Sequence, residues 1–324
     1  MTMKAIRQQQ HGDIDQLKLE TVQIPQPGPG QILVKIHAAG VNPVDTYIRA
    51  GTNGYTASMP HTPGKDGAGT IAAMGDDKHH FLQVGDRVYI AGSLTGTSAE
   101  YALCESRQVF PLPANVSYEA GACIGVPCAT AWRALFQRGN AKPGETLLVH
   151  GASGGVGLAA VQLGIAAGMT VIGTAGTEEG RQLVKDQGAH LVLDHHSDTH
   201  LEDLLEWTHG QGVNLTLEML ANVNLGHDLS ALAHGGRVVV IGSRGTVTIN
   251  PREIMKRDAA ILGMALANAS EQEMNAIHAA LYPSLASGSL KPVIAQEFTL
   301  DNLGEAHNAV LEPGARGNIV IKVC

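Results

Sequence analysis

HGASGGVG, residues 150–157, lies between an apolar run, Thr146-Leu147-Leu148-Val149, and a helical-looking segment from Leu158 to Gly168. A buried strand, a glycine-rich turn and a helix in that order make the opening unit of a dinucleotide-binding domain. The register is A-x-G-x-x-G, with Ala152, Gly154 and Gly157 at the spaced positions. Ser153, Gly154, Gly155 and Val156 form the turn and the first helical residues, so their main chain is the expected phosphate cradle. Gly154 lets the backbone approach a pyrophosphate, and Gly157 lets the helix pack close to the strand. The helix N-terminus adds unpaired N–H groups and partial positive charge.

Outward from this stretch, strand-like and helical segments alternate. TVIGT (170–174), LVLD (191–194), VNLTLEM (213–219), RVVVIG (237–242) and AAILGM (259–264) read as strands, with helices from Glu178, from Thr199 and near Leu225 to Ala233. Strands separated by helices require crossovers, and crossovers favour a parallel sheet covered on both faces. Before residue 120 the pattern is different. Leu17 to Ile24 is stopped by Pro25-Gln26-Pro27-Gly28-Pro29-Gly30, and Val34, Ile36 and Ala38 alternate with Lys35 and His37. Together with Val84 to Tyr89, this reads as a β-rich, partly barrel-like region. After 270 come an amphipathic helix (Met274, Ile277, Ala280, Leu281), a second one (Leu303, Ala306, Val310) and a closing strand, Asn318 to Val323. These complete the first region, so the expected domains are 1–125 with 266–324, and 126–265.

Composition excludes several classes. The 324 residues carry 44% hydrophobic and 16% charged side chains, an ordinary globular balance. A net charge of −8 with 4% aromatics argues against a nucleic-acid backbone binder or a base-stacking platform. No apolar run reaches a membrane span, and the N-terminus has no signal-peptide core. Cys104, Cys123, Cys128 and Cys324 show no CxxC spacing, so a cytoplasmic chain with reduced thiols is expected.

Six blocks carry a family likeness: GVNPVDTYIRAG (40–51), TPGKDGAG (62–69), HGASGGVGLAA (150–160), GTAGTEEG (173–180), EMLANVN (218–224) and HGGRVVVIGSRGTVTINPR (234–252). They resemble the zinc-free, zeta-crystallin-like quinone oxidoreductases of the medium-chain dehydrogenase/reductase superfamily, over essentially the whole chain. The resemblance implies an α/β protein: a doubly wound parallel-sheet (Rossmann) cofactor domain plus a GroES-like catalytic domain. It also implies NADPH as cofactor, a quinone as acceptor, and a homodimer or homotetramer. The rival readings are a reductase of enones or 2-alkenals, and a non-enzymatic RNA-binding or crystallin-like role.

Zinc-dependent members of that superfamily have cysteine, histidine and cysteine where this chain has Asn42, Lys65 and Val126, so no metal is expected. Without a Lewis acid, alcohol deprotonation at neutral pH is hard, whereas a quinone accepts hydride with far less help. The second strand ends in Gly173-Thr174-Ala175-Gly176-Thr177, without the carboxylate that binds a ribose 2′-hydroxyl. That leaves room for a 2′-phosphate, with Arg181 on the next helix as a candidate; the resemblance implies Gly176 and His195 at the same end, with Asp194 as a discordant neighbour. The bland alternative for Arg181 is a solvated helix face. The resemblance implicates Thr130, Asn224, Ile241, Gly242, Ser243, Arg244, Met264, Ala265 and Leu266 around the nicotinamide, with Tyr47 also on the cofactor side. Tyr47 and Asn42 are the candidate catalytic residues: a phenol and an amide able to hydrogen-bond a carbonyl oxygen. Packing is the alternative for Tyr47, and Asp45 suits a turn or an ion pair with Arg49. Met264 to Ala269 is expected to be an edge strand that pairs with a second copy.

Overall fold

A computed structural model describes residues 1–76 and 81–323, and Cys324 lies outside them. By contact the chain divides into two units. One is Met1–Pro127 with His278–Gly288 and Pro292–Cys324, and the other is Cys128–Ile277 with Ser289–Lys291.

In the second unit the described residues form a six-stranded sheet. Its order is Leu191–Leu193, Thr170–Thr174, Thr146–Val149, Val213–Glu218, Leu232–Val240, Ala260–Gly263, and every pairing is parallel. Numbered by chain position, this is the 3-2-1-4-5-6 arrangement of a dinucleotide-binding sheet. Leu147, Leu148 and Val149 are fully buried, as a strand with helices on both faces requires. The helix Gly155–Ala166 is apolar nearly all round, and Leu158 through Gly164 are buried. Each such Leu or Val contributes about 1.5–3 kcal/mol by leaving water. The helix Glu178–Asp186 begins where the side chain of Thr177 accepts from Gly180 N–H at 3.0 Å, with Glu178 and Glu179 in its first turn. Leu148, Ile172, Leu204, Leu229 and Val238 knit the helices to the sheet.

The first unit is β-rich, as its alternation predicts. The strand Gln31–Val41 runs antiparallel between Asn318–Lys322 and Asp66–Met74, and Tyr101–Glu105 also pairs with it. Ile32, Val34, Ile36, Ile71, Val88 and Ile321 fill its core. One short helix, Pro43–Ala50, carries the candidate substrate residues. Asn42 is its N-cap, Pro43 takes the first helical position, and Gly51 closes it at φ +68°. The Asp45 carboxylate reaches back to Asn42 N–H at 2.8 Å, which is the expected turn role. Arg49 does not pair with Asp45. Its guanidinium reaches Asp13 at 3.4 Å and Gly12 O at 3.3 Å, because Asp45 is turned toward the helix start.

Met264 to Ala269 is not a strand. The edge strand is Ala260–Gly263, and Leu266–Asn268 is a 3₁₀ turn closed by Asn268 N–H to Ala265 O and Ala269 N–H to Leu266 O. Among the described residues no helix is long and apolar enough to cross a membrane.

Candidate functional site

All six strands of the second unit point the same way, so the loops after them gather at one edge of the sheet. The glycine loop leaves Val149 with His150, turns at Gly151 (φ +57°) and enters the helix with Gly154 as N-cap. Ala152 N–H donates to Thr174 O at 2.8 Å and Gly151 N–H to Thr174 Oγ1 at 3.3 Å, which ties the loop to the end of the second strand. At Gly157 an added Cβ would lie 2.6 Å from Ala152 Cα and 2.8 Å from Ala152 C. Glycine is therefore required for the helix to start this close to the loop, and the cradle fits a pyrophosphate against the helix N-terminus.

Beyond the second strand, a Cβ on Gly176 would lie 2.6 Å from His195 Nε2 and 2.5 Å from His196 Nε2. The two imidazoles pack edge to face, 4.6 Å apart, over bare main chain. Burial first, then His196, lowers the proton affinity of His195 from the ordinary histidine value. Arg181, one turn into the following helix, is bound by Asp194 at 2.8 Å, and both side chains are about a third exposed. The expected discord is thus a direct ion pair.

The remaining loops carry the other expected contacts. Ile241 N–H and Gly242 N–H both bond Glu218 O, at 2.8 and 3.2 Å, and Ala221 N–H returns to Gly242 O. Ser243 Oγ donates to Gly245 O, and Arg244 N–H is held by Asn222 Oδ1 at 2.8 Å. Met264 N–H bonds Val240 O, and Ala265 and Leu266 follow in the turn described above. Asn224 Nδ2 donates to Glu218 Oε1 at 3.2 Å. Thr130, buried on the short helix Ala129–Trp132, belongs to the same unit and packs beside the helix Gly155–Ala166.

The candidate substrate residues belong to the first unit. Tyr47 is half-buried, with its ring 6.0 Å from that of Tyr55. Among the described residues its phenol has no hydrogen-bond partner. Asn42 is only 6% exposed, and its Nδ2 donates to Asp66 Oδ2 at 2.9 Å. The amide expected to face a substrate carbonyl is therefore engaged with a carboxyl group. Val126 N–H donates to the same Asp66 oxygen at 2.9 Å. Two positions that carry zinc ligands elsewhere in the superfamily are thus joined here through one carboxyl. Burial raises Asp66 to about 8 against the pull of its two donors, and raises Asp45 to about 6. Lys65 is exposed, on the wall of a hollow of about 70 Å³ shared with Asp45, His61 and Ser93.

Sequence reasoning missed a second buried polar group. His150, Glu218 and Asp228 converge behind the glycine loop, and His150 Nε2 lies 2.7 Å from Asp228 Oδ1 and 3.6 Å from Glu218 Oε2. A carboxylate inside the apolar run VNLTLEM was the available signal, since burying such a charge demands a partner.

Comparison with known proteins agrees with the two-unit fold. A family described as "Zinc-binding dehydrogenase" matches residues 155–281, and "Alcohol dehydrogenase GroES-like domain" matches 28–114. The human protein named quinone oxidoreductase is 44% identical over 321 residues, covering 98% of this chain and 97% of its own. A solved NAD-dependent alcohol dehydrogenase superposes with a TM-score of 0.92 at 26% identity, covering 99% of this chain and all of its own. A mycobacterial protein solved in complex with NADPH gives 0.89 at 28% identity, again covering 99% and all of the two chains.

Proposed function

We infer the reaction from one premise: this chain belongs to the quinone oxidoreductases of the medium-chain dehydrogenase/reductase superfamily. It is a pyridine-nucleotide-dependent oxidoreductase of that family. We propose that its donor is NADPH and its acceptor a quinone, which takes up one hydride and one solvent proton to become the hydroquinone. A bound nicotinamide supplies the hydride.

The chain's own residues position the reactants. The loop Ser153-Gly154-Gly155-Val156 offers N–H groups to the pyrophosphate, while main chain at Ile241–Arg244 and Met264–Leu266, with Asn224 and Thr130, orients the ring. The observation that carries the choice of NADPH is Gly176. The second strand ends without a carboxylate to repel a 2′-phosphate, and His195 can donate to one, while Arg181 is paired with Asp194. On the substrate side we assign Tyr47 as the group that meets the quinone, its phenol donating to a carbonyl oxygen. Asn42, held by Asp66, fixes the start of the helix that presents Tyr47. Asn42, Lys65 and Val126 offer neither thiolate nor imidazole at the superfamily's zinc positions, which supports an acceptor that needs no Lewis acid. The buried thiols of Cys104, Cys123 and Cys128 support a reducing, cytoplasmic setting, and the open edge of Ala260–Gly263 supports pairing with a second copy.

The test is NADPH consumption against ortho-quinones, para-quinones, enones and alcohols, with and without chelator. Turnover of quinones that chelator leaves intact is expected. Turnover confined to enones, or chelator-sensitive oxidation of alcohols, would replace this reading.

A further inference from the structure

Four polar side chains from separate strand ends and one helix meet beneath the glycine loop. His150 follows the first strand, Thr174 ends the second, Glu218 ends the fourth, and Asp228 lies on the helix Ala221–Ala231. All four are essentially out of water. His150 is the hub: Nε2 is 2.7 Å from Asp228 Oδ1 and 3.6 Å from Glu218 Oε2, while Nδ1 is 3.3 Å from Thr174 Oγ1. Burial alone would lower its proton affinity, yet Asp228 and then Glu218 carry the net shift upward. Two of the outer members also hold main chain or side chain at the cofactor edge. Thr174 Oγ1 accepts from Gly151 N–H at the turn of the loop, and Glu218 Oε1 accepts from Leu220 N–H and from the Asn224 amide.

A buried ionic cluster is a poor way to stabilise a fold, since apolar residues of the same volume commonly do as well or better. What it supplies is direction, because every lone pair and proton fixes a partner. We propose that His150, Glu218 and Asp228 are positioning residues for the dinucleotide: an imidazole held between two acidic side chains, which locks the Gly151 turn through Thr174 and the Asn224 amide through Glu218. This rests on the reading of the glycine loop and Asn224 as cofactor contacts. Among the described residues Glu218 Oε2 and Asp228 Oδ2 have no hydrogen-bond partner, so the same atoms could instead hold a cation, and the test separates the two.

The experiment uses the full chain and follows NADPH binding by fluorescence titration alongside steady-state kinetics. Asp228→Asn and Thr174→Val are expected to weaken NADPH on the order of tenfold, with KM for NADPH rising more than kcat falls. Thr174→Ser, which keeps the hydroxyl, is expected to restore wild-type affinity. Glu218→Gln should weaken binding as well, and the double variant Glu218→Gln/Asn224→Ala should bind no worse than Asn224→Ala alone, because Glu218 acts through that amide. Unchanged affinity in Asp228→Asn and Thr174→Val, whatever happens to their melting temperatures, overturns the proposal and leaves the cofactor assignment standing. Additive losses in the double variant overturn it too, as does a stoichiometric divalent ion whose removal loosens NADPH. A wild-type chain that binds neither NADPH nor NADH overturns both this proposal and the function on which it rests.

Discussion

Gly157→Ala is the substitution that most directly tests the dinucleotide cradle. The new methyl carbon would sit 2.6 Å from Ala152 Cα and 2.8 Å from Ala152 C, and would also collide with Gly151 O. Ordinary contact begins near 3.4 Å, so the first turn of the helix and the loop must separate by about 0.8 Å. None of these neighbours is a flexible side-chain tip. Overpacking of this kind costs about 1–3 kcal/mol, and a shift approaching 1 Å in the N–H groups that face the phosphates weakens binding by about 10- to 100-fold. Gly164→Ala, two turns along the same helix, is the control. There the nearest atoms are Leu147 Cδ2 at 2.9 Å and Val171 Cγ2 at 3.1 Å, side-chain ends that can yield. Fluorescence titration with NADPH and thermal unfolding should therefore show loss of both affinity and stability in the first variant. The second should bind normally, with a small change in melting temperature. A Gly157→Ala protein that binds NADPH like the wild type would refute the placement of the pyrophosphate on this turn.

Three further outcomes are expected. Tyr47→Phe should lower quinone turnover at least about tenfold while NADPH affinity stays within about twofold, and an unaltered rate would remove the phenol from the reaction. Asp194→Asn releases the Arg181 guanidinium, so NADPH should bind several-fold more tightly with NADH unchanged; equal shifts for both cofactors would place Arg181 away from the 2′-phosphate. Asp66 is raised from 3.8 to about 8 chiefly by burial, so the fold favours its neutral form. The unfolded chain ionises above 3.8, so this residue's contribution to stability is complete below that value and drains away as pH climbs to about 8. At about 1.4 kcal/mol per unit the full span is an upper bound near 6 kcal/mol. Denaturant unfolding from pH 5 to 9 should show wild type losing stability relative to Asp66→Asn, and parallel curves would count against a neutral acid at this position.

Much of the second unit was legible because its strands are buried on both faces and therefore appear as bounded apolar runs. Leu147-Leu148-Val149 and Thr170–Thr174 fall where the pattern placed them. The helix Pro43–Ala50 has end signals in Asn42-Pro43 and Gly51, but the strand-and-turn reading of the first region passed over it. Boundaries were lost where polar residues disguise a helix. Ala221–Ala231 begins four residues before Leu225 because Asn222 and Asn224 read as loop. Ala265 and Leu266 look like continuing strand, yet their main chain closes a turn on itself, which side-chain pattern does not record. The polar networks were invisible for another reason. Asp66 depends on Asn42 and Val126, and His150 depends on Glu218 and Asp228, so each is assembled from distant points of the chain. Glu218 was visible as an acid inside an apolar run, but its partners were not, and Asp66 sits among turn residues that give no such signal.

The cysteines gain significance from the proposed chemistry. Quinones are Michael acceptors, and a thiolate within reach adds to them irreversibly. Cys104, Cys123 and Cys128 are each at most 1% exposed, and burial pushes the Cys104 thiol far above its usual range, where the nucleophilic form is scarce. A protein whose acceptor alkylates sulfur thus keeps these three sulfurs out of the acceptor's reach, and its working life is not shortened by arylation at them.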